Sequence, residues 1–313
     1  MTFAVRASTA AVLCLCGSAF AAPAIDANIE LDNTSRDGTY VAAADKGLTQ
    51  SGRLELNVAN KAGADAFVAG RATFLSKKDG TVATDDMWIQ LGNASTDVKL
   101  GRFEAADLFP LAGDTLVNHA GTVYGANTLR GRKASDVFHA ATTFNLGSGL
   151  AFELGLISTT TTNLSGATAR GLRPVLSYTS GPLAAKLGLE QGEYNSGNKV
   201  SGFGLTVGYD FGAFKLTGNY AQGKQDATID DTQSAYALTV AVGGLSVGAI
   251  SAKNDATGGD TRVQTGYVSY SMPLFGIKGA TITPAVSVSK AADSVANTNK
   301  EETAFRVRLH YDF

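Results

Sequence analysis

The residue types that usually perform chemistry are few in this chain and widely separated. The three histidines are His119, His139 and His310, and no two of them have the spacing of a metal site. No nucleophile elbow, HExxH pair or phosphate-binding loop occurs. Ser135 and His139 share a predicted strand, but residues four apart on a strand lie more than about 10 Å apart. The sequence therefore predicts a protein that is not an enzyme, with no cofactor and no metal.

Charged and polar residues instead alternate with apolar residues along several segments. Residues 305–313 place apolar and aromatic side chains at odd positions, whereas Arg306 and Arg308 stand at even ones. Residues 25–32 alternate in the same way, and Arg53 and Arg71 lie on the polar faces of similar segments. A period of two indicates strands with one apolar face and one wet face.

Alternation and turn residues together predict about sixteen strands, an even number within the range of bacterial barrels. The predicted strands are 25–32, 52–59, 66–76, 86–91, 97–103, 135–144, 150–158, 172–179, 183–191, 200–211, 214–222, 234–242, 245–253, 262–272, 281–290 and 305–313. Tight turns alternate with longer polar loops, for example 33–50, 159–170, 223–232 and 291–300. This sorting is typical of an all-β, transmembrane antiparallel β-barrel.

Composition excludes several other classes of protein. The chain has 313 residues, 44% of them hydrophobic and 17% charged, with a formal net charge of -2. This apolar content is too high for a disordered chain, and the charge balance gives no basic footprint for nucleic acid. Beyond the first two dozen residues no apolar run reaches the length of a membrane-spanning helix.

The first segment has the features of a secretory signal. Arg6 supplies a positive start, residues 10–15 are the centre of a short apolar stretch, and residues 19–21 form an A-x-A cleavage site. We expect residues 1–21 to be removed and residues 22–313 to form the barrel, with cleavage after Ala22 as the alternative. Because Cys14 and Cys16 both lie in this segment, the mature chain would contain no thiol.

One connection is much longer than the others. From Phe103 to about Arg132 the chain has no clear strand pattern, and this is the third long loop. Long loops without structure of their own are usually functional, and a lumen about sixteen strands wide holds water. We therefore expect this loop to fold into the lumen and narrow it.

At this point the sequence resembles a known family. The stretch MWIQLG at 87–92, a turn, VKLGR at 98–102 and the long loop resemble the corresponding region of Gram-negative trimeric porins. The signal, the strand number and the terminal Phe313 also match, while residues 101–110 look more like carbohydrate-type porins. The resemblance implies a water-filled channel for passive diffusion of small hydrophilic solutes and ions. The alternatives are a carbohydrate-selective channel and, less favoured, a barrel enzyme.

The resemblance also implies a constriction in which acidic groups of the inward loop face a basic wall. The wall candidates are Arg53, Arg71, Arg102, Arg306 and Arg308, and the loop candidates are Glu104, Asp107 and Asp114. Strict alternation groups Arg102 with apolar side chains, so it faces the lumen only if a bulge near Gly101 shifts the register. Trp88 is expected to face inward, where an indole can stack on a sugar ring, and the alternative is an interfacial or packing aromatic.

Partners follow from the same resemblance. We expect a homotrimer in the outer membrane of a Gram-negative bacterium, with subunit contacts near Ile29, Leu54, Leu56 and Val98. Lipid and lipopolysaccharide would surround the barrel, and the barrel-insertion machinery would read Phe313 as an assembly signal. Aromatic girdle residues near the membrane interfaces are predicted at Tyr178, Tyr209, Phe211, Tyr220, Tyr267 and Tyr311.

Overall fold

The computed structural model describes residues 22–111, 127–133, 137–159, 168–194, 197–226, 230–256, 259–293 and 298–313. The predicted signal at 1–21, the loop candidate Asp114 and His119 lie outside the described residues. Among the described helices, none has the length and hydropathy needed to cross a membrane.

The described chain forms one antiparallel sheet that closes on itself through pairing of its first and last strands. The strands are β1 (Ala24–Asp37), β2 (Gly47–Ala62), β3 (Ala66–Lys77), β4 (Val82–Asn93), β5 (Thr96–Arg102), β6 (Phe138–Gly147), β7 (Leu150–Ser158), β8 (Thr168–Ser180), β9 (Leu183–Tyr194), β10 (Lys199–Asp210), β11 (Lys215–Asp226), β12 (Asp230–Val242), β13 (Leu245–Ala256), β14 (Gly259–Tyr270), β15 (Met272–Pro273), β16 (Ala280–Asp293) and β17 (Thr298–Asp312). A short 3-10 helix, Ala43–Asp45, lies between β1 and β2.

The barrel wall has sixteen positions. β14 and the two-residue β15 both pair with β16, so together they occupy one position. Every pairing is antiparallel, and β1 pairs with β2 on one side and with β17 on the other. The predicted all-β antiparallel barrel of about sixteen strands is therefore confirmed.

Most strands are longer than predicted. β11 ends at Asp226 and β12 begins at Asp230, so three residues separate them where the sequence predicted a loop over 223–232. The predicted loop over 291–300 is likewise taken up mostly by β16 and β17. These two loop predictions were wrong because backbone pairing continues into polar sequence beyond the apolar band, where the alternation signal disappears.

The two ends of the barrel differ. One end, the tight-turn rim, carries the connections 63–65, 94–95, 148–149, 181–182, 211–214 and 243–244. The other end, the long-loop rim, carries 38–46 and the connection from β5 to β6, which spans 103–137. The long third loop thus leaves the barrel at the end opposite the tight turns.

Alternate residues of each strand have different environments. On β12, Tyr236 and Leu238 are exposed on the outside, whereas Ala235, Ala237 and Thr239 are buried. Large apolar side chains therefore cover the outer surface, and small or polar ones line the inside. This is the pattern of a wall with lipid outside and water inside.

Tyr267 departs from the predicted girdle. It shares the inward parity of Val263 and Thr265, is buried, and its hydroxyl lies 2.6 Å from the Thr239 hydroxyl. A Cβ at Gly248 would collide with the Tyr267 ring, so this glycine is what allows the ring to lie flat on the inner wall. The prediction of an interfacial role for Tyr267 was wrong.

Candidate functional site

The charged wall is built where the barrel closes. Register places Asp32 directly opposite Arg308 across β1 and β17, and Glu30 opposite Arg53 across β1 and β2. Arg308 donates from Nε and Nη2 to the two Asp32 oxygens at 2.8 Å each, and its Nη1 lies 3.1 Å from Glu30. Arg306 is nearly buried and lies 3.9 Å from Asp32. Bidentate geometry of this kind fixes both partners.

Arg53 and Arg71 share a carboxylate on the next strands of this wall. Their guanidinium groups lie 3.7 Å and 3.8 Å from Glu55, respectively. Arg71 also donates to Asn57 Oδ1 at 2.6 Å and to the Thr73 hydroxyl at 3.0 Å. The side chains of the two arginines remain 44% and 38% exposed, so both charges reach the solvent of the lumen.

Arg102 belongs to a different environment. It stands opposite Met87, in the same row as Leu100 opposite Ile89, so pairing stays regular through Gly101 although that residue has φ +122. The register shift lies instead between β3 and β4, where Ala72 pairs with Met87 but Phe74 pairs with Thr84, so the extra residue is on β4. Arg102 Nε donates to the carbonyls of residues 84 and 85 of β4 at 3.1 and 2.9 Å. Its Nη1 donates to the Lys133 carbonyl at 2.8 Å, so Arg102 joins β4 to the return limb of the loop without the bulge at Gly101 that its expected place on the lumen wall required.

The long loop turns inward immediately after β5. Phe103 is buried and stacks on His139 of β6, with ring centroids 4.0 Å apart and an interplanar angle of 7°. Farther along, Leu108 and Phe109 are fully buried in one apolar cluster with inward residues of β8, β11–β14 and β16. On the return limb, Leu129 packs against Ile157 and Val200. The described parts of the loop thus lie against the inner wall.

Five consecutive strands each contribute one inward polar group to hold the loop. The contacts are Glu153 of β7 with the Ala106 N–H at 3.0 Å, Arg173 of β8 with Asn127 at 3.0 Å, Glu190 of β9 with the Leu129 N–H at 3.2 Å, Thr206 of β10 with the Leu108 carbonyl at 3.2 Å, and Asn219 of β11 with the Pro110 carbonyl at 2.8 Å. Four of these bonds satisfy loop backbone groups that burial would otherwise leave unpaired, and the fifth, from Arg173, goes to the Asn127 side-chain oxygen.

We call these five residues, Glu153, Arg173, Glu190, Thr206 and Asn219, the clamp. At its centre is a buried ion pair. Arg173 Nε donates to Glu190 at 2.6 Å, and their side chains are 2% and 0% exposed. A buried charge without a partner is strongly destabilising. The pair therefore ties the return limb of the loop to β8 and β9.

The loop also neutralises its own carboxylates. Glu104 lies 2.7 Å from Arg130 and 2.9 Å from Arg132. Asp107 accepts from the Phe109 N–H at 2.9 Å and from the Asn127 amide at 2.7 Å. Both carboxylates therefore serve the loop's internal structure.

Arg132 connects the loop to β4. It lies 2.7 Å from Asp86 and 2.9 Å from Asp85, in addition to Glu104. Burial alone would lower the pKa of Arg132, but the hydrogen bond to Asp86 and the nearby charges of Glu104, Asp86 and Asp85 raise it above the usual value. For Lys133, burial prevails over the attraction of Glu190 and lowers the pKa.

The structure thus contains two separate sets of charges. Within the described residues, no hydrogen bond or ion pair joins Glu104 or Asp107 to Arg53, Arg71, Arg306 or Arg308. Each set has counter-ions of its own. The expected constriction, with acidic loop groups facing basic wall groups, therefore describes the site only in part.

Trp88 lies on the inward side of β4, opposite Arg71. The Lys99 ammonium is 4.8 Å from the centre of its indole, and the ring packs against a small cluster of Phe103, Ala105 and Ala141. The cation lies over the indole, on which a sugar ring would stack.

Several groups of this site were not found from the sequence. The wall acids Glu30, Asp32 and Glu55 lie on the same polar strand faces as the predicted arginines. The same alternation, applied to acidic residues, could therefore have found them. The loop arginines Arg130 and Arg132 and the clamp residues Glu153, Arg173 and Glu190 carried none, because their partners lie far away in the sequence.

Comparison with known proteins identifies the family. The sequence profile of the Gram-negative porins matches residues 7–313. The chain belongs to the Gram-negative porin family. The resemblance noted in the sequence is thereby confirmed, and the protein is an outer-membrane β-barrel channel. A search of curated protein sequences gave no significant match.

Solved structures share the fold of this porin at low sequence identity. A loop-deletion mutant of OmpT, an outer membrane protein of Vibrio cholerae, has a TM-score of 0.72 and 13% identity, with 94% of this chain and 100% of that chain covered. In-vitro folded OmpT in its trimer form has a TM-score of 0.66, 13% identity and coverage of 94% and 100%. The anion-selective porin from Comamonas acidovorans has a TM-score of 0.66, 17% identity and coverage of 93% and 99%.

Proposed function

We propose that this porin passes small hydrophilic solutes and ions by passive diffusion, with little preference for cations or anions, and that it catalyses no reaction. The observation that carries the proposal is the separation of two internally paired charge sets across one lumen. Wall arginines and wall carboxylates nearly balance: Arg53, Arg71, Arg306 and Arg308 face Glu30, Asp32 and Glu55. A balanced wall focuses little field of either sign on passing ions.

General diffusion is favoured over a carbohydrate-selective channel. Selective stacking needs an aromatic face that a sugar ring can reach, and Trp88 is engaged by Lys99 and Phe103. His139 is buried against Phe103, which argues for a packing role and against the barrel-enzyme alternative. In the described residues no group of three metal-ligating side chains occurs.

The homotrimer is also a proposal, and the outer surface supports it. Phe144, Tyr178, Tyr209, Phe211 and Tyr270 are exposed near the tight-turn rim between β6 and β14. β1–β5 carry no outward aromatic side chain at that rim, only smaller apolar ones. Interfacial aromatics mark lipid contact, so we place the subunit contact on β1–β5.

The predicted contact residues fit this assignment. Ile29, Leu54 and Leu56 are outward and between 37% and 41% exposed in the single chain, and Val98 lies in the same outer surface. In-vitro folded OmpT, which shares the fold, forms a trimer. Export through a cleaved signal at 1–21 and recognition of Phe313 by the insertion machinery complete the proposal.

Planar-bilayer recording with the purified protein tests the proposed function. We expect stepwise conductances that occur in threes and a small zero-current potential in a KCl gradient. Liposome-swelling rates for neutral sugars should fall smoothly with sugar size. The heat-unfolded protein is the control. A channel saturable by one sugar, or a strongly ion-selective channel, would contradict the proposal.

A further inference from the structure

β9 presents two glycines to the lumen, one on each side of a clamp residue. Its inward positions in the middle of the strand are Gly188, Glu190 and Gly192. Leu187 and Leu189, which alternate with them, are exposed on the outer surface. Because a glycine inside a strand weakens it and often marks the close approach of another part of the chain, both positions need a structural reason.

Gly188 lies beneath the outgoing limb of the loop. A Cβ built on it would lie 2.7 Å from both methyl carbons of Leu108 and 3.0 Å from a methyl carbon of Val175 on β8. Carbon atoms in contact are about 3.5–4.0 Å apart, so the end of the Leu108 side chain occupies the space that a Cβ would need. Since Leu108 is fully buried, it fills a socket in the barrel wall.

Gly192 forms a second socket, under the return limb. A Cβ here would lie 3.2 Å from Leu129 Cδ1 and 2.9 Å from the Arg170 carbonyl oxygen of β8. The space at Gly192 is therefore limited by the wall as well as by the loop. The two glycines are four residues apart, about 13 Å along the strand, so β9 alone meets both limbs.

The two limbs are also bonded to each other. The Asn127 side chain accepts from the Leu108 N–H at 3.1 Å and donates to Asp107 at 2.7 Å. The Ala105 N–H donates to the Arg130 carbonyl at 3.1 Å. A displacement of Leu108 is therefore passed to the return limb.

The position of β9 decides where a displaced loop would go. In the sixteen-position wall, β9 is eight positions from β1 in either direction, so it lies directly across the lumen from the charged wall. β9 is hydrogen-bonded to neighbouring strands on both sides along its length, whereas the limbs are held by separate single bonds. Because overpacking is relieved by shifts of side chains and backbone, extra volume at Gly188 would move the limbs away from β9 and toward β1.

We propose that Gly188 and Gly192 set the distance between the loop and the charged wall, and thereby the size limit of the channel for neutral solutes. Both are positioning residues that act through the loop. The lack of a side chain at each lets the limbs lie close to β9, which leaves the lumen wide beside Arg53 and Arg71. The inference rests on the proposed function, because a size limit presupposes a diffusion channel.

The test compares Gly188→Ala and Gly188→Val in the full-length protein, by single-channel conductance and by liposome swelling. Each added carbon should displace the limbs farther, so conductance should fall in the order glycine, alanine, valine. Swelling rates should fall more for a disaccharide than for a pentose, because a narrower passage excludes larger solutes first. Valine favours strands more than glycine does, so the change does not weaken β9 itself.

Gly208→Val, on the inward face of β10, is the matched control. The three atoms nearest to a Cβ on Gly208, at 3.6 to 3.8 Å, all belong to β11. The substitution adds the same side chain to the neighbouring strand away from Leu108 and Leu129. Its conductance and its ratio of sugar rates should match those of the unmodified protein.

A second substitution separates positioning from a merely structural role. Leu108→Ala removes the two methyl carbons that lie 2.7 Å from the added Cβ. Combined with Gly188→Val, it should restore most of the conductance and of the disaccharide rate. A loss caused by a weakened barrel would instead grow with the second change.

Unchanged conductance and sugar ratio in both Gly188 variants would overturn the inference, as would failure of Leu108→Ala to restore the passage. An equal effect of Gly208→Val would also overturn it. If Gly188→Val does not assemble, Gly188→Ala with its own Leu108→Ala rescue decides. Normal channels that the substitutions leave unaltered would reject only this inference, whereas absence of channels from the unmodified protein would reject the proposed function.

Discussion

The wall formed by β17, β1, β2 and β3 and the wall formed by β10–β16 share one backbone pattern but differ in their inward side chains. The first is a ladder of arginines and carboxylates that includes Arg53, Arg71, Arg308, Asp32 and Glu55. In the second, every buried polar side chain of the described residues is a hydroxyl, except for the amide of Asn219.

The difference shows how the lumen is divided. Hydroxyl side chains are short and need no counter-ion, so the loop can approach this wall closely and bury Leu108 and Phe109 against it. Charged side chains need water or partners, so the opposite wall stays solvated. We infer that the open channel runs between the loop and the charged wall.

The largest effect is expected where β17 and β1 of the charged wall pair to close the barrel. Phe313 exchanges two backbone hydrogen bonds with Ala27, at 2.9 and 3.1 Å, and stacks on Tyr311 with ring centroids 5.6 Å apart. Deletion of Phe313 should lower the yield of heat-modifiable barrel in the outer membrane, while export to the periplasm continues. Fractionation and semi-native electrophoresis measure this.

Phe211→Ala, which removes an aromatic from the same rim, is the control for that experiment and should leave most of the yield intact. An undiminished yield after deletion of Phe313 would show that the seam closes without its terminal aromatic residue.

The attachment of the loop to the barrel is tested by Arg173→Ala, on β8. This change leaves Glu190 buried without its partner and should cost about 3–5 kcal/mol. The loss should appear as a lower temperature of heat modification and as noisy channels, because the return limb is released. Arg170→Ala is the matched control, since Arg170 is 76% exposed in its pair with Glu193 and such pairs contribute about 0–1 kcal/mol. If both variants behave alike, the clamp does not hold the loop.

Ion selectivity should depend on the arginines of the charged wall formed by β17 and β1–β3. Arg53→Ala with Arg71→Ala leaves Glu55 without its cationic neighbours, so the zero-current potential should move toward cation preference. A unit charge about 7 Å from a passing ion is worth about 0.6 kcal/mol in water, or roughly threefold per charge. The exclusion limit for neutral sugars should also rise, because two long side chains leave the lumen.

The control for the arginine pair is Lys78→Ala, in the exposed turn after β3. Lys77 is unsuitable, since the register places it directly opposite Arg53. An equal shift from the Lys78 variant would mean that the constriction lies elsewhere.

The smallest expected effect is the difference in zero-current potential between single substitutions in the two walls. Asp32→Asn removes the bidentate partner of Arg308 and should move the zero-current potential toward anions by about threefold or less. Thr239→Val in the hydroxyl wall changes no charge and should leave the potential unchanged. Asp107→Asn would also be expected to favour anions, but it disturbs the loop bond to Asn127 and is a less direct test. A shift from Thr239→Val as large as that from Asp32→Asn would remove the distinction between the walls.

Prediction from the sequence succeeded where the signal is local. The alternation at 305–313 gave β17 and the inward parity of Arg306 and Arg308, because side chains of a strand point to opposite faces in turn. Trp88 was also predicted inward from the apolar residues on either side of it. Strand ends were less accurate, since polar pairing beyond the membrane carries no alternation.

By itself, the sequence determined the closed antiparallel barrel, its approximate strand number and the inward arginines, because a period of two is written into neighbouring residues. Only the tertiary structure decided which charges meet. Asp32 and Arg308 stand 276 positions apart and become neighbours through the register of the closing strands. Arg173 and Glu190 become a loop anchor only when the loop folds onto β8 and β9. Pairing between distant residues depends on register and loop path, and neither is encoded in any single segment of the chain.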